Sequence, residues 1–301
     1  MILVTGAAGA MGSRLVRRLL AEGHAVRALV LPKDPFLARL DGCGCEVVTG
    51  DITESQSLRG LAEGVDTIYH LAAVILSSDP AVFEKVNVQG TRNLLALAAG
   101  AKVQHFIYVS SASVVYPQTT PYSRSKRECE RLVRQQDQPA YTLVRPTLVY
   151  ESDGGMEFQL FLRYLMKFPV VPFIGRGQAR KSPVFAEDVI DGLVKLAGCQ
   201  KAYGRTYNFC GAESLPIWDL AKLMLARQGS RKLLVPVPVW LCRVAAALMK
   251  RLSDDPPLTH SAIAGIVQDA DLDPSSASMD LAYAPIGVHD GLDRCFPPAA
   301  S

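Results

Sequence analysis

A doubly wound, parallel α/β sheet with a smaller, mostly helical lobe towards the C-terminus is the fold class this sequence predicts, and three observations carry it. Short β-rich runs alternate with helical stretches as far as Cys210. A glycine-rich turn, TGAAGAMG at 5–12, joins the first of those runs to an amphipathic helix. Beyond Cys210 the chain reads as mainly helical and is punctuated by proline. Alternation of strand and helix builds a parallel sheet covered on both faces, and 301 residues with 49% hydrophobic content can bury the core it needs.

In order, ILVT is the first strand and MGSRLVRRLLAEG the first helix, followed by strand AVRALVL and strand CEVVTGD. SLRGLAEG reads as a helical connection to strand DTIYHLAA, NVQGTRNLLALAAGA as the next helix and HFIYVSS as the next strand. A helix is expected from Ser123 to about Gln136, then strand YTLVRPTLVY. The rhythm loosens through FQLFLRYLMKF, the loop GRGQARKS and PVFAEDVIDGLVKLAG before a last strand, TYNFC. The expected division puts 1–149 and 183–210 in the sheet domain. Residues 150–182 and 211–301 form a substrate-binding lobe packed on the carboxyl edge of the sheet, where doubly wound folds bind ligands.

Composition removes several classes of function. The net charge of +3 comes from 32 basic and 29 acidic residues spread along the chain, with no basic block to hold nucleic acid. Seven cysteines include Cys43 and Cys45 but no two Cys-x-x-Cys pairs, so no metal site is expected and a reduced, cytoplasmic chain is the simplest reading. MILVTGAAG lacks the basic start and apolar run of a signal peptide. LLVPVPVWLCRVAAALMK is interrupted by Pro236, Pro238 and Arg243, which leaves it too short to span a bilayer. It is expected to be a core-facing helix with Trp240 in the core, in preference to membrane contact.

The glycine turn points to a dinucleotide. Gly6 allows the tight turn, Gly9 lets the backbone approach a pyrophosphate, and Gly12 lets helix and strand pack closely; Ala8, Ala10 and Met11 complete the cradle. Free N–H groups of the helix start face the anion. At the end of the second strand, Val30 or Leu31 stands where an acid would hold the ribose of NAD, and Lys33 follows. The cofactor is therefore NAD or NADP, with NADP ahead. Asp51 and Ile52, after the third strand, are placed to touch adenine.

PYSRSK puts Tyr122 and Lys126 four residues apart, on one face of a helix. The set TGAAGAMG, GDIT at 50–53, HLAA at 70–73, NVQGT at 87–91, YVSSASVV at 108–115, YSRSK at 122–126 and RPTLVY at 145–150 occurs in order. Together these motifs resemble the extended and atypical branches of the short-chain dehydrogenase/reductase superfamily, the NAD-dependent epimerase/dehydratase family. That group includes nucleotide-sugar epimerases, dihydroflavonol reductases and 3β-hydroxysteroid dehydrogenases. The likeness covers roughly the first 210 residues.

The resemblance implies a Rossmann domain and assigns residues to it. Leu71, Ala72, Ala73 and Ser110 line the cofactor, Asn87 supports the active-site end of the sheet, and Pro146 and Leu148 border the nicotinamide. Tyr122 exchanges a proton with a substrate hydroxyl or carbonyl while hydride moves to or from the nicotinamide. Lys126 holds the nicotinamide ribose, and its charge favours the phenolate of Tyr122. Ser111 donates to the same substrate oxygen, with Ser113 as the fallback. Val74, Ser113, Arg176 and Arg180 are candidate contacts to a small-molecule substrate; in the loop GRGQARKS, Arg176, Arg180 and Lys181 read as an anion clamp, with a solvated loop as the equal alternative. Homodimers are common in the resembled family.

Departures from the family pattern matter as well. Ser111 and Tyr122 are only eleven positions apart, and Leu148 and Glu151 stand where nucleotide-sugar epimerases carry asparagine and glycine. These differences make the pocket more apolar and favour interconversion of a secondary alcohol and a ketone. Epimerisation or dehydration of a nucleotide sugar through transient oxidation is the alternative. A non-catalytic NAD(P)H-binding structural or assembly role, as in the similar accessory subunit of respiratory complex I, is the third. His70 at its strand end reads as structural, and Glu187 and Asp188 read as charges that suit a helix N-terminus.

Overall fold

The computed structural model describes residues 1–152, 155–252 and 258–296. Seven parallel strands form the central sheet: β1 (Ile2–Thr5), β2 (Val26–Val30), β3 (Glu46–Thr49), β4 (Thr67–His70), β5 (His105–Val109), β6 (Ala140–Pro146) and β7 (Arg205–Phe209). Their order is β7-β6-β5-β4-β1-β2-β3. The order reverses beside β1, and Thr5 pairs with both Leu29 and His70, so the β1 and β4 carboxyl ends open together on one crevice.

Apolar residues run continuously along these strands because both faces are covered. On one face Val4, Ala28, Ile107 and Val144 pack on α1 (Ala10–Ala21) through Leu15, Val16 and Leu19. On the other, Leu3, Leu29, Ile68, Phe106 and Leu143 pack on α2 (Gly90–Gly100) and α3 (Pro121–Arg134) through Leu94, Leu95, Cys129 and Val133. SLRGLAEG departs from expectation. Only a 3₁₀ turn forms, at Ser55–Leu58, since Gly60 and Gly64 adopt left-handed backbone (φ 74° and 69°) that ends any helix.

A third cluster joins Tyr150, α4 (Met156–Lys167), α5 (Ala186–Val194) through the preceding Phe185, and α6 (Ile217–Arg227) to Leu234, Val288 and Leu292. The late helix Ser275–Leu281 instead packs on the sheet through Ala277 and Leu281. Beside the third cluster, the parallel ribbon of Val170–Ile174 and Leu233–Val237 leads into α7 (Val239–Leu252). This segment corrects the expectation of a core-facing helix. Leu233–Val237 is extended, and of α7 only Cys242 and Ala246 are buried, while Trp240 is 66% exposed. No helix among the described residues is long and apolar enough to cross a membrane.

Candidate active site

The glycine cradle is built as its spacing requires. Gly6 sits at φ 69°, and a Cβ there would come 2.8 Å from Ala72 N, so any side chain would push β1 and β4 apart. A Cβ on Gly12 would lie inside the van der Waals shell of Gly6 O. Gly9 caps α1 with backbone alone, no side chain satisfies the first N–H groups, and no acid stands in the first turn. Such a helix start takes a diphosphate. The residues therefore fit a dinucleotide, with Ala8 buried beneath the turn and Ala10 and Met11 partly open at its rim. Gly12→Ala is expected to cost about 1–3 kcal/mol of stability by overpacking and to weaken NAD(P) binding; melting curves with and without cofactor would show both.

At the adenosine end, Val30 is buried and Leu31 is 50% exposed, and neither offers a polar group to a ribose. Lys33 is exposed in left-handed backbone (φ 57°), and Arg39 stacks at 4.5 Å over Phe36 in the same loop. Asp51 accepts from Thr53 N at 2.8 Å, which shapes the turn after β3. The Ile52 side chain is buried against Gly90 in the core.

His70 is a structural residue. It is buried between Thr5 Oγ1 (2.8 Å) and Thr91 Oγ1 (2.9 Å), and burial, helped by the Lys126 charge, holds its pKa down at about 3. Leu71, Ala72, Ala73 and Val74 follow as a partly buried loop. Asn87 fastens this loop: its side chain accepts from Val74 N (2.8 Å) and donates to Val74 O and Ser125 Oγ (both 3.0 Å). Ser125 in turn donates to Tyr122 O at 2.8 Å. Asn87 lies in a π-helical turn, Glu84–Gln89, a distortion that recurs at functional sites.

Tyr122 enters the cleft from the first turn of α3, which Thr120 caps in a reciprocal pair with Ser123. The short loop before it holds its shape because Arg127 donates to Val114 O. Ser111 lies close enough to Tyr122 to pull its phenol pKa down, accepts from Ser113 N at 3.1 Å and lies 2.9 Å from Ser113 Oγ. Both candidate serines thus form one hydrogen-bonded pair beside the phenol. Ser110 is buried beside Glu130, which pairs with Arg145 at 2.6 Å.

Lys126 is 3% exposed; its ammonium donates to Val109 O at 2.7 Å and lies 4.7 Å from the centre of the Tyr108 ring. Burial lowers its pKa to about 8, while Cys129 and Glu130 pull it up. The phenol of Tyr122 behaves against expectation. Burial first, and the charge of Glu157 second, push its pKa well up, and Ser111 only partly offsets them. Without a ligand the group is a neutral phenol, because these two effects dominate it and the Lys126 ammonium is turned towards Val109 O.

Across the cleft, Leu148 is partly buried beside the smaller lobe and Pro146 is buried, with Thr147 donating to Ser182 O. Arg176 is exposed, and Arg180 is turned to Ser214, with Nε donating to its Oγ at 3.1 Å. Lys181 is the buried cation: it donates to Gly265 O at 2.7 Å and to Gln268 O, and faces the Tyr116 ring at 5.5 Å. Its pKa is lowered to about 8 by burial, against the pull of Glu157 and Asp269. Glu157 keeps solvent access at the cleft but is hemmed in enough that its carboxyl is raised, with Lys181 opposing. Tyr116 and Glu157 are absent from the sequence-based site because no local motif marks them, whereas Lys181 enters it as one cation of the GRGQARKS loop. The fold brings them to Tyr122 from three separate segments.

Comparison with known proteins supplies the family. The NAD dependent epimerase/dehydratase family matches residues 2–210. The chain belongs to that family. It is 29% identical over 338 residues to a 3β-hydroxysteroid dehydrogenase/Δ5→4-isomerase of Mycobacterium tuberculosis, covering 98% of this chain and 89% of that protein. It is 35% identical over 195 residues to a ceramide reductase of Caulobacter vibrioides, covering 64% and 59% respectively. A double mutant of the dTDP-glucose 4,6-dehydratase DesIV from Streptomyces venezuelae, solved with NAD bound, superposes with a TM-score of 0.78. It is 25% identical, and the match covers 98% of this chain and 95% of that one. The chain is thus a Rossmann-fold member of an NAD-dependent oxidoreductase and epimerase group.

Proposed function

We propose that this protein interconverts a secondary alcohol and a ketone on an apolar small molecule, using NAD(P) and running most readily as a ketone reductase. The observation that carries this reading is the grouping of Tyr122 with the hydrogen-bonded serines Ser111 and Ser113, beside Lys126 and the glycine cradle. The glycine cradle of Gly6, Gly9 and Gly12 and the Lys126 ammonium would hold NAD(P)H, whose chemistry would be hydride donation to the carbonyl carbon. Ser111 hydrogen-bonds to the carbonyl oxygen, and Tyr122, held neutral, gives that oxygen its proton as the charge develops. The resulting phenolate would regain its proton from solvent. Lys126, anchored on Val109 O, holds the ribose and keeps a positive charge near the phenol as it ionises.

Leu148 and the partly buried loop at 71–74 support an apolar substrate, as do the steroid and ceramide named for the two relatives. We assign the substrate to the lobe of 150–182 and 211–301, with Tyr116, Glu157 and Lys181 on its side of the cleft. Lys33, with no acid at Val30 or Leu31, supports NADP ahead of NAD. The test is a panel of sterol-type and long-chain ketones and of nucleotide sugars, each with NADPH and NADH. Stoichiometric cofactor oxidation with an apolar ketone, faster with NADPH, is expected. Conversion of a nucleotide sugar without net change in cofactor would replace this reading with the epimerase one, and cofactor bound but never turned over would replace it with a structural role.

A further inference from the structure

The least expected surface of the molecule is the outer face of α7 and the ribbon beside it. Trp240, Val244, Leu248 and Leu252 recur every four residues, so they form one stripe along the helix, and they are 66%, 49%, 55% and 87% exposed. Leu241 lies alongside at 44%. The opposite face buries Cys242 and Ala246 against Ile174 and Ile263, so the helix is already docked and the stripe is a second apolar face. In the ribbon, period two puts Leu234 and Val171 in the core and leaves Leu233 (64%), Val235 and Val170 in water. Parallel pairing of this kind is ordinarily found where both faces are covered. Exposed apolar area of this extent marks an interaction site.

Charge identifies the partner. From Gln228 to Leu252 the sequence has Arg231, Lys232, Arg243, Lys250 and Arg251 and no acidic residue, although Asp254 and Asp255 follow in the sequence and Lys232 is tied to Leu165 O and Met166 O, so Arg231, Arg243, Lys250 and Arg251 are the cations left to the face. A second copy of the same face would meet these cations with its own. An anionic surface would be attracted to them while apolar side chains enter beneath the headgroups, with the tryptophan at the level where its amphipathic ring is favoured. We propose that α7 and the Leu233–Val237 strand dock this protein onto the surface of a bilayer containing anionic lipid, with the helix lying in the interface. The helix has 14 residues, enough to lie in the headgroup region and too few to span.

The test needs no turnover and is therefore independent of the reaction proposed above. The protein is sedimented with vesicles of phosphatidylcholine mixed with phosphatidylglycerol and with vesicles of phosphatidylcholine alone. In a Trp218→Phe background Trp240 becomes the single indole reporter. Expected are co-sedimentation with the mixed vesicles, release as salt screens the charges, and a blue shift of Trp240 emission on binding. Trp240→Glu/Leu248→Glu should lower partition about tenfold or more with melting temperature and NAD(P) affinity unchanged, since both sites are exposed. Lys250→Glu/Arg251→Glu should weaken binding to mixed vesicles with the apolar stripe intact. Absence of binding to the mixed vesicles, or partition that neither pair of substitutions alters, would overturn the proposal. So would a solution dimer that Trp240→Glu/Leu248→Glu converts to monomer, because the face would then be closed by a second copy.

Discussion

Tyr122→Phe is expected to bind NAD(P) with near wild-type affinity and to lose turnover by about 10²–10⁴-fold, the range supplied by a positioned proton donor. The substitution removes only Oη. The ring contact with Phe83 (centroids 6.2 Å apart) remains, and Ser111 keeps Ser113 as a partner, so neither packing nor the serine pair collapses. The phenol is pushed up by burial and Glu157, which means that the wild-type group carries its proton through the neutral range and can donate it to a reduced carbonyl. Steady-state kinetics on the first ketone found, with a cofactor-induced melting shift, separate the two effects. A full melting shift with the rate abolished is the expected pair of results. An unchanged rate would remove Tyr122 from the chemistry, whereas loss of both would show that the substitution had disturbed the cofactor cradle.

How much of this was legible beforehand depended on whether a residue's role is local. Gly6, Gly9 and Gly12 could be read because the constraint on each, a left-handed φ or a close backbone approach, arises within a few residues. Tyr122 and Lys126 could be read because one helical turn joins them. Arg180 and Lys181 could not be told apart: they are neighbours on a two-residue strand, so one must face out and the other in, and only the pairing with Leu215–Pro216 decides which. Glu157 and Tyr116 act on Tyr122 across segments that no spacing links. Trp240 and its stripe were misread for a different reason. Apolar residues at helical spacing show that a face avoids water, and not whether the protein itself covers that face.

Raising the pH through about 8 is expected to remove reductase activity, with kcat/KM falling roughly tenfold per pH unit above that point. Burial lowers Lys126 from its ordinary 10.5 to about 8, so its ammonium is present below this pH and absent above it. Tyr122 moves the other way and stays protonated, and His70, held near 3, is neutral throughout, so neither produces this limb. Stability should respond in the opposite sense. Between about 8 and 10.5 the unfolded lysine still binds a proton that the folded one has released, so the Lys126 contribution to unfolding free energy rises with pH. Loss of turnover across that window therefore cannot be ascribed to unfolding at Lys126. Lys126→Ala should be slower at neutral pH by a hundredfold or so and should lack the limb. Lys181 has the same value, about 8, and faces the cleft from the other lobe. A limb that persists in Lys126→Ala and disappears in Lys181→Ala would place the titrating cation on the substrate's side of the cleft, and the role given to Lys126 would fall.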